Sequence, residues 1–166
     1  MAALNTITAA VRDSFTSSGI EAAICEYPAG EKMRYDKPVL SIGVKSGSGV
    51  SSGFSEYMGE RYDIESDTYS ELYGKRLEIV LGVHIYSPRV PHGAAGCISV
   101  FSEIAAATGN FPLSLRVREI SCGETEFDTV TGMFHCLVEL KCLAYMYAVK
   151  TDDTELLDFK LKGVLS

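Results

Sequence analysis

Between Met133 and Val149 every even position is apolar: Phe134, Cys136, Val138, Leu140, Cys142, Ala144, Met146 and Ala148. Side chains alternate across a sheet, so a period of two sustained this long predicts one strand with a fully buried face. The odd positions are mixed. His135, Glu139, Lys141, Tyr145 and Tyr147 share their face with Met133, Leu137, Leu143 and Val149. That set is too polar for a core and too apolar for free solvent. It suits contact with another subunit, because interfaces favour Tyr and Met and bury charges only when these are paired. Residues 76–86 alternate in the same way, with Leu77, Ile79, Leu81, Val83 and Ile85 on one side, and predict a central strand ended by Ser87-Pro88-Arg89-Val90-Pro91.

Two segments change period. Leu4, Ile7, Val11 and Phe15 recur at three- and four-residue spacing and predict a helix over 3–18, stopped by Gly19. A second helix is predicted over 92–108, with Ala94, Cys97, Ile98, Phe101, Ile104 and Ala105 on its buried side and Gly109-Asn110 at its end. Its alanines at 94, 95, 105, 106 and 107 permit close approach to a sheet. Strands are expected over 20–27 and 38–45, as a hairpin or a neighbouring pair, and over 113–121 and 125–129, with Gly132 opening the long strand. The tail, 151–166, is acidic and then carries Phe159, Leu161 and Val164, a last edge strand that a neighbouring subunit could accept by strand addition.

Residues 46–73 fit neither period. A glycine-serine run, Gly47 to Gly53, precedes six carboxylates at Glu56, Glu60, Asp63, Glu65, Asp67 and Glu71, with Arg61 the one cation. Ordinary connections span about four to six residues, so this stretch reads as a functional arm. Phe54, Tyr57, Met58, Tyr62, Tyr69 and Tyr73 are costly to leave in water, which predicts that the arm orders, as a hairpin, against a partner. The whole is α+β: a mostly antiparallel sheet, two main helices packed on one face, and a long extended arm over about 46–73, in a single domain over 1–166.

Charge and composition remove several functions. Fifteen basic against twenty-two acidic residues leave a net charge of -7, which argues against a nucleic-acid groove, where clustered Lys and Arg neutralise phosphate. No run reaches the ~20 apolar residues of a membrane span, and the opening residues lack a basic leader, so a soluble cytosolic protein is expected. Five cysteines, Cys25, Cys97, Cys122, Cys136 and Cys142, are expected to be reduced thiols.

Candidate chemistry is weak. The Gly47–Gly53 run lacks the Gly-Lys-Ser/Thr ending of a phosphate loop and reads as a flexible hinge. Cys97, five residues after His92 at a predicted helix start, is the best nucleophile, for a thiol-dependent hydrolase or small-molecule binder. Its place on the apolar stripe favours a core thiol instead. His84, His92, His135 and the cysteines show no metal-ligand spacing, and neither metal nor cofactor is expected. The paired carboxylates lie in the arm and tail, where catalytic positioning is poor. The expectation is a structural protein and not an enzyme.

The strand EIVLGVHIYSP, the helix AAGCISVFSEIAAA, the segment LSLRVREISCGETEFD and the long GMFHCLVELKCLAYMYAV together resemble the tail terminator proteins of bacteriophages and phage-tail-like particles. The resemblance runs from about Ala3 to Lys150 and includes Ile85-Tyr86-Ser87, Ile120-Ser121-Cys122-Gly123 and Glu126-Phe127-Asp128. It implies a subunit that closes into a hexameric ring on the last ring of the tail tube, stops its growth and offers the head-proximal end. It also implies the tail tube protein as a partner, with sheath and head-tail connector as further ones. Such a protein assembles in the bacterial host cytoplasm and then resides in the particle. Other tail components, a tube subunit or a head-tail completion protein, are the nearest alternatives. On this reading Phe54, Tyr57, Met58 and Tyr62 contact tube or sheath, and Glu139, Lys141, Tyr145 and Tyr147 pack on the neighbouring subunit. Arg116 and Arg118 pair with a neighbour's acids or line the lumen.

Overall fold

A computed structural model describes residues 2–25, 35–51, 56–65, 67–111, 115–150 and 159–161. One eight-stranded sheet is built on two long antiparallel strands, β4 (Thr68–Pro88) and β7 (Met133–Lys150), which pair along eighteen consecutive positions from Glu71↔Lys150 to Pro88↔Met133. Shorter strands tile both flanks of this spine. On the free side of β4 lie β2 (Val39–Ser51) and β3 (Tyr57–Asp63), both antiparallel to it. On the free side of β7 lie β5 (Arg116–Cys122), β6 (Glu126–Asp128) and β8 (Phe159–Leu161), again antiparallel. The first strand, β1 (Ala23–Cys25), pairs in parallel with β2, so the two early strands are neighbours and not the two arms of a hairpin. The α+β class and the largely antiparallel sheet follow directly.

Helices α1 (Ala2–Ser17) and α2 (Gly93–Ala107) cover one face. Ile7, Val11 and Phe15 of α1 are buried at four-residue intervals, as the spacing requires, and Phe15 meets Phe111 at 5.6 Å between ring centroids. In α2 the buried stripe is Gly96, Cys97, Val100, Ile104 and Ala107. The expected stripe is therefore rotated: Ile98 is 63% exposed, and Ala94, Phe101 and Ala105 are only half-buried. The cause is a contact at the start of α2. Ser87, fully buried at the end of β4, donates a hydrogen bond to the Gly93 carbonyl at 2.7 Å. A Cβ on Gly96 would stand 2.2 Å from the Ser87 hydroxyl. Close approach rests on this glycine rather than on the flanking alanines.

Register explains the core. Rows such as Leu40–Ile85–Cys136, Ile42–Val83–Val138 and Val44–Leu81–Leu140 run across β2, β4 and β7, all apolar and all beneath the helices. Burying apolar area at roughly 25 cal/mol per Å² makes this face the main source of stability.

The glycine-serine run differs from its reading as a hinge. Residues 46–51 continue β2 and pair with β4 from Ser46↔Val80 to Ser51↔Lys75. Serine and glycine have poor strand propensity, and the long neighbouring strand supplies the template that overrides it. Beyond them, β3 pairs with residues 68–73 of β4, bringing Tyr57 against Tyr73 (5.5 Å) and Tyr62 against Tyr69 (4.9 Å). Phe54 lies outside the described residues. The tail strand β8 pairs within the same chain, with residues 146–148 of β7.

Candidate functional site

The sheet face away from the helices is where the candidate residues collect. Its cross-strand rows are Val39–Tyr86–His135, Ser41–His84–Leu137, Gly43–Gly82–Glu139, Ser46–Val80–Lys141, Ser48–Glu78–Leu143 and Val50–Arg76–Tyr145. No row is purely apolar. All but Gly43–Gly82–Glu139 place a polar position beside a hydrophobic one, so the face is neither core nor ordinary solvated surface.

The charges of these rows are matched inside the chain. A bulge in β2 between Val44 and Ser46 frees Lys45 to reach over Gly82 and pair with Glu139, and this ammonium holds the Glu139 carboxyl below its usual range. Lys141 donates to both carboxylate oxygens of Glu119 at 2.9 Å, and Arg76 pairs with Glu78 at 3.1 Å. The Gly43–Gly82 pair has no side chains to fill the surface. It leaves a hollow of about 240 Å³ walled by Lys45, His84 and Leu137. A wider groove of about 580 Å³ opens next to it over Ser46, Ser48, Val80, Lys141 and Leu143.

One end of the face is a ring stack. His135 lies 4.7 Å from Tyr86 and 5.2 Å from His84, nearly parallel to both, with His84 Nδ1 and His135 Nε2 at hydrogen-bond distance, 2.9 Å. One of these nitrogens must donate and the other accept, so the two rings cannot both be imidazolium in this arrangement. Burial lowers the pKa of His84, with His135 and Lys45 adding to the effect; burial also lowers His135, against the pull of Asp128 and Glu126.

The predicted contact residues fall in three places. Glu139, Lys141 and Tyr145 lie on the helix-free face, with Lys141 and Tyr145 exposed. Tyr147 shares that face by register but is only 8% exposed, a correction to its expected role as a contact. It sits opposite Gly74, where a Cβ would stand 2.6 Å from the Tyr147 Cα, so the two backbones close together and the ring is covered by its own chain. Arg116 is exposed opposite Leu143, whereas exposed Arg118 falls in a bulge between Val117 and Glu119 and pairs with no β7 residue. Tyr57 and Tyr62 are exposed and Met58 half-buried on β3, at the far end of β4.

Cys97 is fully buried, its thiol directed at the Phe134 carbonyl at 3.6 Å, while His92 is exposed at the start of α2. That placement removes the thiol from any solvent-facing site. Among the described residues no group of three or more His, Cys, Asp or Glu is placed to hold a metal ion. No helix among them is long and apolar enough to cross a membrane.

Lys45, Tyr86 and the Gly43–Gly82 pair escape the sequence reading, and His84 enters it only as a metal-ligand candidate. Their signal was present in the even positions of β4, where Glu78, Val80, Gly82, His84 and Tyr86 are as mixed as the odd positions of β7. No protein-family model matches the chain, and no curated protein is significantly similar to it.

Proposed function

We propose that this chain is a structural subunit that closes with copies of itself into a ring on the end of a phage-type tail tube and stops the tube from growing. The observation that carries this reading is the helix-free face, with its semi-apolar rows, internally matched charges and glycine-floored hollow. A second copy is the occupant that fits. A neighbour can cover Val80, Leu137 and Tyr145 without stranding a charge, because Lys45, Lys141 and Arg76 already have carboxylate partners. Contact between this face and a different surface of the next copy is head-to-tail, and such contacts close into rings when the rotation permits. The exposed Tyr57 and Tyr62 then contact tube or sheath, and Arg116 and Arg118 face a neighbour's acids or the lumen. In this role the protein assembles in the host cytoplasm and ends in the particle at the head-proximal end of the tail.

The test is to mix purified protein with isolated tails, image them by negative stain, and measure copies per particle. One ring at one end of each tail is expected. Decoration along the whole tube, with dozens of copies, would make it a tube component instead, and bare tails beside a monomeric protein would leave the proposal without support.

A further inference from the structure

Three thiols, on β5, β7 and α2, have no part in the assembly reading. β5 and β6 run along the same edge of β7, with Cys122 opposite Val138 and pairing resumed at Glu126 opposite His135. Residues 123–125 therefore face only two residues, 136 and 137, and the Gly123 amide closes this bulge by donating to the Leu137 carbonyl at 2.9 Å. The extra residue lets the Cys122 side chain lean along the strand, and its sulfur lies 3.6 Å from that of Cys136. Cys122 is exposed, Cys136 is buried beneath it, and Cys97 lies deeper, in α2; all three are free thiols. An accessible thiol touching a buried one is the arrangement of an attacking and a resolving cysteine.

We propose that Cys122 and Cys136 are a disulfide site, closed by a low-molecular-weight disulfide such as glutathione disulfide that reaches Cys122 from solvent. The Cys122 sulfur, having lost its proton, attacks one sulfur of the small disulfide. The S–S bond breaks, and the departing thiolate takes up a proton as a mixed disulfide forms on Cys122. The Cys136 sulfur then loses its proton and attacks Cys122 Sγ, and the second small thiol leaves with a proton. Two protein thiols are oxidised by two electrons and one small disulfide is reduced to two thiols. The sulfurs must close to about 2.05 Å, a movement taken up in the bulge, where residues 124 and 125 have no ladder partner. Burial holds the Cys122 thiol up to about 11, and a hydrogen bond with Cys97, followed by burial, holds Cys136 higher still, so the thiolate is scarce at neutral pH and alkaline pH favours closure. The bond fastens to β7 the edge strand that carries Arg116 and Arg118, and it is disfavoured wherever glutathione keeps thiols reduced.

The test uses the reduced, folded full chain, incubated with glutathione disulfide at mildly alkaline pH and then read by intact mass and digestion. Trypsin releases residues 119–141 as one peptide holding both cysteines. The expected product is that peptide, lighter by two hydrogens and still one species after cleavage at Glu124 or Glu126 until a reductant is added. Cys122→Ser, a change at an exposed position that leaves the core intact, abolishes it. Glutathione retained on Cys122 without closure, closure onto Cys97, or no reaction under conditions that oxidise the unfolded chain would each overturn the proposal.

Discussion

The two faces of this sheet are made by the same strands and differ in almost every physical respect. Beneath the helices, the rows from Leu40–Ile85–Cys136 to Val44–Leu81–Leu140 are continuous hydrocarbon and sulfur, closed off by Val11, Phe15, Cys97 and Ile104. On the other side, one residue along each strand, the rows combine tyrosine, histidine, glycine and matched ion pairs. Alternation alone sets this division, since a shift of one residue would exchange the faces. The helix-covered face supplies the burial that holds the chain folded. The open face pairs the charges of its β4 and β7 rows internally, so that these rows can be covered by another molecule at small electrostatic cost. On the proposed reading, stability and association fall to opposite sides of a single layer.

Substitutions should separate the two sides. The largest effect is expected from Leu140→Ala, fully buried beneath the helices: a loss of about 2–5 kcal/mol in chemical denaturation, from lost transfer energy and the cavity left behind. Gly96→Ala should cost about 1–3 kcal/mol, because the added methyl displaces α2 from Ser87; an unchanged denaturation midpoint would reject the close contact. A pH effect should come from the open face. The pKa values of His84 and His135 lie below the ordinary 6.5, so their stabilising contribution is complete above that value and is lost as pH falls through the lowered ones. Thermal melts should therefore worsen on acidification below about 6.5, and His84→Gln combined with His135→Gln should flatten that dependence. Lys141→Ala should be the mildest, roughly 0.2–1 kcal/mol and vanishing in high salt, because its pair with Glu119 is solvated.

The helices and the two long strands were legible because each repeats its period over many residues, and tertiary forces had only to agree with it. Residues 46–51 were misread because glycine and serine carry no hydrophobic pattern; only the neighbouring β4 makes them a strand. The stripe of α2 was misplaced by about one position for a related reason. Its small residues offered several possible faces, and the contact between Gly96 and Ser87 chose among them. Glu139, Lys141 and Tyr145 were visible as an unusual face on one strand, but Lys45, His84 and Tyr86 join them only through register, which alternation does not specify. The thiol cluster was hidden likewise: Cys97, Cys122 and Cys136 meet because of a bulge and a helix docking that leave no local signature.

The central claim is that copies of this chain meet through the helix-free face. The most direct measurement compares two charge insertions, Leu137→Arg beside the Gly43–Gly82 hollow and Ile98→Arg on the exposed side of α2, by the fraction of isolated tails that carry a terminal ring. The account predicts bare ends with Leu137→Arg and normally capped ends with Ile98→Arg, both proteins remaining folded. Rings formed equally well by the folded Leu137→Arg protein would contradict it.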